Sequence, residues 1–325
     1  MKRTKSLIGR RGLLRTVIGG TALAAAGAAQ EAAPARPGSF SAPSRRMDEM
    51  TSREIEFYLQ SGGNLVLIPF GPVSGHGALI PVGMHCLWAH AVSVLVAEGG
   101  NGLVFPPTYA CYAGATRTFR GTVSFPYFEQ VAMLKRIAST LHKEGFRRTV
   151  LVGGTNPEDT AGMIAARELF DETEQPYWFV SCAHALNLPE VHALYQGYPG
   201  NFGETPLALA ALRVLGRGRP IPMENWAKET KPEGADQPAE ITGDVNEMRR
   251  WGSVGFRYFE EGNHGNHGNA GIMFRGRSDI DIAVDVLKKS AEAIIPALAR
   301  FGHYAEWLDQ HPVHYIGPTE RLNEK

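Results

Sequence analysis

Apolar and polar positions along this chain switch repeatedly between a strand-like run and a helix-like period. Leu65-Val66-Leu67-Ile68-Pro69-Phe70 is a continuous apolar stretch, and a run this short with no polar face reads as a strand covered on both sides. Before it, Ser52 precedes Glu54-Ile55-Glu56-Phe57-Tyr58-Leu59, and Ser61-Gly62-Gly63 follows, which predicts a short helix with its start and stop signals. The alternation continues with a helix over 88–98, an apolar run at 102–105, a helix over 127–144 and a strand at 149–152. A helix over 159–170, a strand at 177–181, a helix over 204–215 and a long amphipathic helix over 279–301 complete it.

Strands and helices taking turns predict an α/β fold of three layers, a mostly parallel sheet flanked by helices, with ligand sites beyond the carboxyl ends of the strands. The polar, Pro-rich stretch over 217–247 reads as a surface excursion or subunit contact, and an aromatic tail around Trp307 and Tyr315 closes the chain. No internal repeat and no second core with its own linker is visible, so residues 48–325 read as one catalytic-type domain.

Charge changes the picture at the amino end. The 325 residues carry 33 basic and 33 acidic groups, but six of the basic ones fall within residues 1–30, before the first acid at Glu31. The remainder is mildly acidic, and a nucleic-acid partner is excluded for want of a basic face. Residues 1–29 combine a basic start, the pair Arg10-Arg11, an apolar Ala/Gly-rich run and small residues at Ala26-Gly27-Ala28-Ala29. That is the pattern of a cleaved twin-arginine signal, and Thr16 to Ala29 is too short to span ~30 Å of hydrocarbon. The expected location is periplasmic or secreted, with no membrane contact after cleavage. Residues 30–47, rich in Ala, Pro, Ser and Arg without periodicity, read as a linker. Cys86, Cys111 and Cys182 are too few for a disulfide framework. Cys86 and Cys111 read either as a bridge in an oxidising compartment or as small buried apolar residues.

Candidate chemistry starts after the first strand. Gly71-Pro72-Val73-Ser74-Gly75-His76-Gly77 and Ile80-Pro81-Val82-Gly83-Met84-His85 place two histidines in a Gly/Pro-rich segment, where glycines permit close backbone approach to an ion or ligand. Here the sequence resembles the creatininase (creatinine amidohydrolase) family, over most of the chain. The family's Glu-x-His-Gly and Leu-Pro-x-x-Thr-Asp segments match Ser74-Gly75-His76-Gly77 and Ile80-Pro81-Val82-Gly83-Met84-His85 without gaps. Pro106-Pro107-Thr108-Tyr109 with Phe119-Arg120-Gly121-Thr122-Val123-Ser124 resembles its Pro-Pro and Phe-Pro-Gly-Thr segments. Gly203-Glu204-Thr205 resembles its Glu-Thr-Ser helix start, and the stretch from Gly265 to Ala270 its late Gly-rich loop.

That resemblance implies two divalent metals, yet several ligand positions differ. The first Glu is Ser74, the shared Asp is His85, and the His of the loop after the third strand is Gly153. The ligands of one metal are therefore altered or lost. Those implied for the other become His76, His85 and Glu204, a two-imidazole, one-carboxylate set that suits catalytic zinc or mononuclear iron. One divalent ion, Zn, Fe or Mn, is the expected cofactor, and the alternative is a decayed centre in which Glu204 only caps a helix.

The expected reaction is hydrolysis of a C–N bond in a small amide, cyclic ones included. His90, His264 and His267 are candidate general acids or bases by type and position. His264 and His267, in a Gly- and Asn-rich loop, also stand as candidates for a relocated metal site. Tyr112 and Arg117 are candidates to orient a polar substrate. A lyase or iron-dependent reaction, a Cys111 nucleophile and a metal-free periplasmic binding protein stand as alternatives. The resemblance implies a homo-oligomer, a hexamer in that family.

Overall fold

Each residue of the first strand has its side chain buried, and successive ones serve opposite faces of one sheet. The computed structural model describes residues 40–76, 80–117, 119–154, 156–196, 204–218 and 277–312, with residues 243, 244, 247, 248 and 250. All belong to a unit spanning Arg36–Lys325. Four strands, β1 (Leu65–Phe70), β2 (Leu103–Val104), β3 (Arg148–Gly153) and β4 (Tyr177–Ser181), pair in the order β2-β1-β3-β4, every pair parallel. Register sets Leu67 opposite Val150, Phe70 opposite Gly153, and Gly153 opposite Ser181.

Leu65, Leu67, Val150, Val152 and Val180 point to one face, where they are covered by α2 (Met84–Gly100), α7 (Glu204–Val214) and α8 (Arg277–Gln310). Val66, Ile68, Phe70 and Leu151 point to the other, against α1 (Ser52–Gln60), α3 (Tyr127–Lys143) and α4 (Asn156–Thr173). The result is the expected three-layer α/β arrangement, and two short helices, α5 (Cys182–Ala185) and α6 (Pro189–His192), follow β4. Among the described residues no helix is long and apolar enough to cross a membrane.

Three boundaries differ from the sequence expectation, each for a physical reason. The helix expected over 88–98 begins at Met84, directly after Gly83. Thirteen of its seventeen residues are buried, so it has no polar face whose period could mark its start. The last helix runs to Gln310 and through Pro296, because Phe301, Ala305 and Leu308 beyond the proline are still buried. The carboxyl part of the expected linker is built into the fold. Arg46 bridges in parallel with Val104, the Arg45 carbonyl accepts from the Val104 amide at 2.7 Å, and Phe40 leans on Phe57. Polar composition concealed this, since the anchoring is by backbone and arginine heads: Arg45 donates to Asn101 Oδ1 and Arg46 to the Leu215 carbonyl.

A candidate metal centre at the carboxyl edge of the sheet

The segment leaving β1 is held on three sides. The Gly71 amide donates to the Thr108 carbonyl, the Ser74 amide to Val82, and the Gly75 amide to Thr122 Oγ1, while the Val73 carbonyl accepts from Val123. Gly71 is required to be small, since a Cβ there would stand 2.6 Å from the Cys86 amide nitrogen. This close approach lays the loop across the first turn of α2, the turn that carries His85. His76 and His85 are 3% and 6% exposed, with ring centroids 4.7 Å apart.

Packing of α7 on α2 brings the amino end of α7 to the same place, and Glu204 is its first residue. A carboxylate is favoured there by the helix dipole. Glu204 Oε2 lies 3.4 Å from His76 Nδ1, and one ligand atom each from His76, His85 and Glu204 fall within 4.8 Å of one another. A tetrahedral ion with ligands at about 2.0–2.2 Å has ligand–ligand edges of about 3.4 Å. The donor set therefore fits a single divalent ion: the His76–Glu204 edge is already at that length, and all three donors lie within 4.8 Å of one another. Two neutral imidazoles and one carboxylate would leave such a site with a net positive charge, suited to polarising a bound carbonyl.

Gly154 completes the scaffold. It follows β3, and its missing side chain leaves room for the backbone of His85. Gly153, the position of the family's loop histidine, ends β3 with its absent side chain directed at Phe179 and Phe70.

Of the other candidates, His90, Tyr112 and Arg117 fall among the described residues. His90 is on the face of α2 shared with Cys86 and Val94, one turn away on either side, and is 1% exposed. Burial pushes its pKa down to about 4, with the charges of Arg46 and Arg217 adding to the effect and Glu49 opposing it. It is therefore neutral near pH 7, and among the described residues its Nδ1 has no hydrogen-bond partner. Because the folded value lies below the ordinary 6.5, the unfolded chain takes up the proton first, and His90 lowers stability as pH falls from about 6.5 to about 4. The full effect is about 3 kcal/mol. His90→Leu is expected to flatten that part of the stability profile in urea unfolding between pH 7 and 4.5, and an unchanged slope would remove His90 as its cause.

Tyr112 stacks on Tyr127 with centroids 4.1 Å apart, and its amide donates to Gln130 Oε1, so it is anchored on the α3 side. Arg117 is exposed after a short 3-10 turn at Gly114–Thr116. His264 and His267 lie outside the described residues. The three cysteines are buried, and Cys86 and Cys111 both direct their thiols at the Thr108 carbonyl, at 3.5 and 3.7 Å.

A second polar group on this edge had no sequence signal. Ser181, ending β4, donates to Asp159 Oδ2 at 2.8 Å and caps α5, and His184 Nε2 is 3.8 Å from the same carboxylate oxygen. Only the packing of α4 on β4 joins these positions.

Solved structures share the fold. A tryptophan-to-phenylalanine variant of a creatininase superposes with a TM-score of 0.60 at 20% identity, covering 78% of this chain and 99% of its own. A structure titled "Creatininase Mn" gives 0.54 at 22%, covering 78% and 99%. A putative creatinine amidohydrolase from Bacteroides fragilis gives 0.58 at 15%, covering 81% and 97%. No curated protein matches the chain. The family model described as "Creatininase: Creatinine amidohydrolase" matches residues 48–251, a span that holds β1 to β4, both histidines and Glu204. Taken with the sheet order and the clustered ligands, that match places this chain in the creatininase family, as a member with an altered ligand set.

Proposed function

We propose that the protein is a metal-dependent hydrolase of a C–N bond in a small amide, working at a mononuclear centre held by His76, His85 and Glu204. The observation that carries this reading is the convergence of those three donors, from the β1 loop, the start of α2 and the start of α7, within 4.8 Å. A divalent ion bound there would supply a Lewis acid for the carbonyl and lower the pKa of water toward neutrality, the two requirements of amide hydrolysis. The protein's own part is to hold the donors in place. His76 and His85 are buried and shielded from competing water, while the Glu204 side chain is 30% exposed and marks the side from which a substrate would enter.

Creatinine is not the substrate we propose, because the family's first Glu, shared Asp and loop His are Ser74, His85 and Gly153 here. A different small amide, cyclic or open, fits a one-ion centre. We further propose export by the twin-arginine route to the periplasm and assembly as a homo-oligomer.

Elemental analysis of the mature protein for Mn, Fe, Zn and Co, before and after chelation, tests the proposal. One ion per chain supports it, with Zn or Mn favouring hydrolysis and Fe favouring the iron-dependent alternative. Two ions per chain, or none after metal is offered back, would overturn it.

A further inference from the structure

Ser74 stands where the family places a metal-binding glutamate, and its geometry gives it a different task. Its side chain is 1% exposed, and its Oγ lies 2.7 Å from His76 Nε2. The other nitrogen of the same ring, Nδ1, is the one 3.4 Å from Glu204 Oε2. Hydroxyl and carboxylate thus grip opposite nitrogens of one imidazole. Ser74 is therefore outside the ligand set and behind the ligand.

The backbone that carries the hydroxyl is tied down. Its own amide is bound to Val82, and the residues on either side are bound to Val123 and Thr122, so three successive residues are tied to two separate segments. A hydroxyl also differs from a carboxylate in that it can donate as well as accept. With Nε2–H donating to Ser74 Oγ, the lone pair of Nδ1 faces the carboxylate of Glu204, which is the tautomer a ligand must adopt.

We propose that Ser74 is a positioning residue that fixes the ring orientation and tautomer of His76, so that His76 binds a single divalent cation through Nδ1. The change from Glu to Ser then replaces a second ion's ligand with an anchor for the remaining ion's ligand. This inference rests on the mononuclear reading above, and its test separates the two.

The full chain, stripped and titrated with Zn²⁺ against a chromogenic chelator, is compared with Ser74→Ala and Ser74→Thr. Removing the anchor of a ligating histidine typically weakens binding about 10- to 100-fold. That loss is expected for Ser74→Ala at unchanged stoichiometry, and Ser74→Thr, which keeps the hydroxyl, is expected to restore most of the affinity. Equal affinity in Ser74→Ala, or Ser74→Thr as weak as Ser74→Ala, overturns the role of Ser74 and leaves the mononuclear centre standing. No Zn²⁺ bound by the parent protein overturns both. A readout that needs no variant is the ¹⁵N spectrum of the Zn²⁺-loaded protein. Metal on Nδ1 and a proton on Nε2 of His76 is the expected assignment, and the reverse overturns the inference.

Discussion

His76→Ala is expected to strip the protein of its ion while leaving it folded. Structural zinc sites bind with about 10–16 kcal/mol, so one ligand's share is about 3–5 kcal/mol, a loss of a hundredfold or more in affinity. His76 has the central place among the three proposed donors: it meets Glu204 through one nitrogen, lies tilted against the ring of His85, and meets Ser74 through the other nitrogen. The fold itself depends on it far less. Truncation leaves a small cavity and removes the partner of a buried Ser74 hydroxyl, about 1–3 kcal/mol, against two apolar layers that pack on both faces of the sheet. Metal content per chain and the melting temperature of the metal-free protein, measured together, check this. A variant that keeps one ion per chain would place the centre elsewhere. A variant that fails to fold would mean that the histidine is chiefly structural.

Gly154→Ala is expected to be among the most damaging single-methyl additions in the molecule, and to damage stability and metal binding together. A Cβ at this position would lie 2.8 Å from the carbonyl carbon of His85 and 3.0 Å from its Cα, with the carbonyl oxygen closer still. These are backbone atoms in the first turn of a buried helix, so no flexible side-chain end can yield. Either α2 moves away from β3 or the strand end bends, and overpacking of this kind costs about 1–3 kcal/mol or more. The displaced residue is one of the three proposed donors, so Zn²⁺ affinity should fall with stability. Gly218→Ala is the control, because among the described residues nothing lies within 4 Å of its Cβ position, and its φ is not left-handed. It should be neutral in both measurements. Parent-like metal affinity in Gly154→Ala would show that α2 does not depend on that contact to place His85.

The sheet was legible in the sequence because its strands are buried on both faces: six successive apolar residues at 65–70 admit few other readings. The two histidines were legible because they follow that strand in a Gly/Pro-rich segment. Where the helix carrying His85 begins was not, since α2 is buried nearly all round and Gly83 before it offers no side-chain cap. The burial of His90 was not legible either: the expected helix already put it one turn before Val94, but what packs on that face is set by the tertiary fold, and burial with the charges of Arg46 and Arg217 lowers its pKa. Glu204 could be joined to His76 only through family resemblance, because 128 positions separate them and their meeting depends on α7 packing against α2. Asp159 and Ser181 were beyond reach for the same reason, with no resemblance to help.

The long final helix has a consequence for how the molecule is made. Ile280, Ala283, Val286, Leu287, Ala291, Ile294 and Leu298 of α8 belong to the same apolar cluster as Leu65, Leu67 and the buried face of α2. All three proposed metal donors have been synthesised by residue 204, yet that layer stays uncovered until about a hundred further residues have emerged. A nascent chain therefore holds the whole proposed ligand set beside an open apolar surface, and premature termination near residue 251 would release an aggregation-prone product. Completion of the polypeptide, not completion of the ligand set, is the step that makes the protein safe to release.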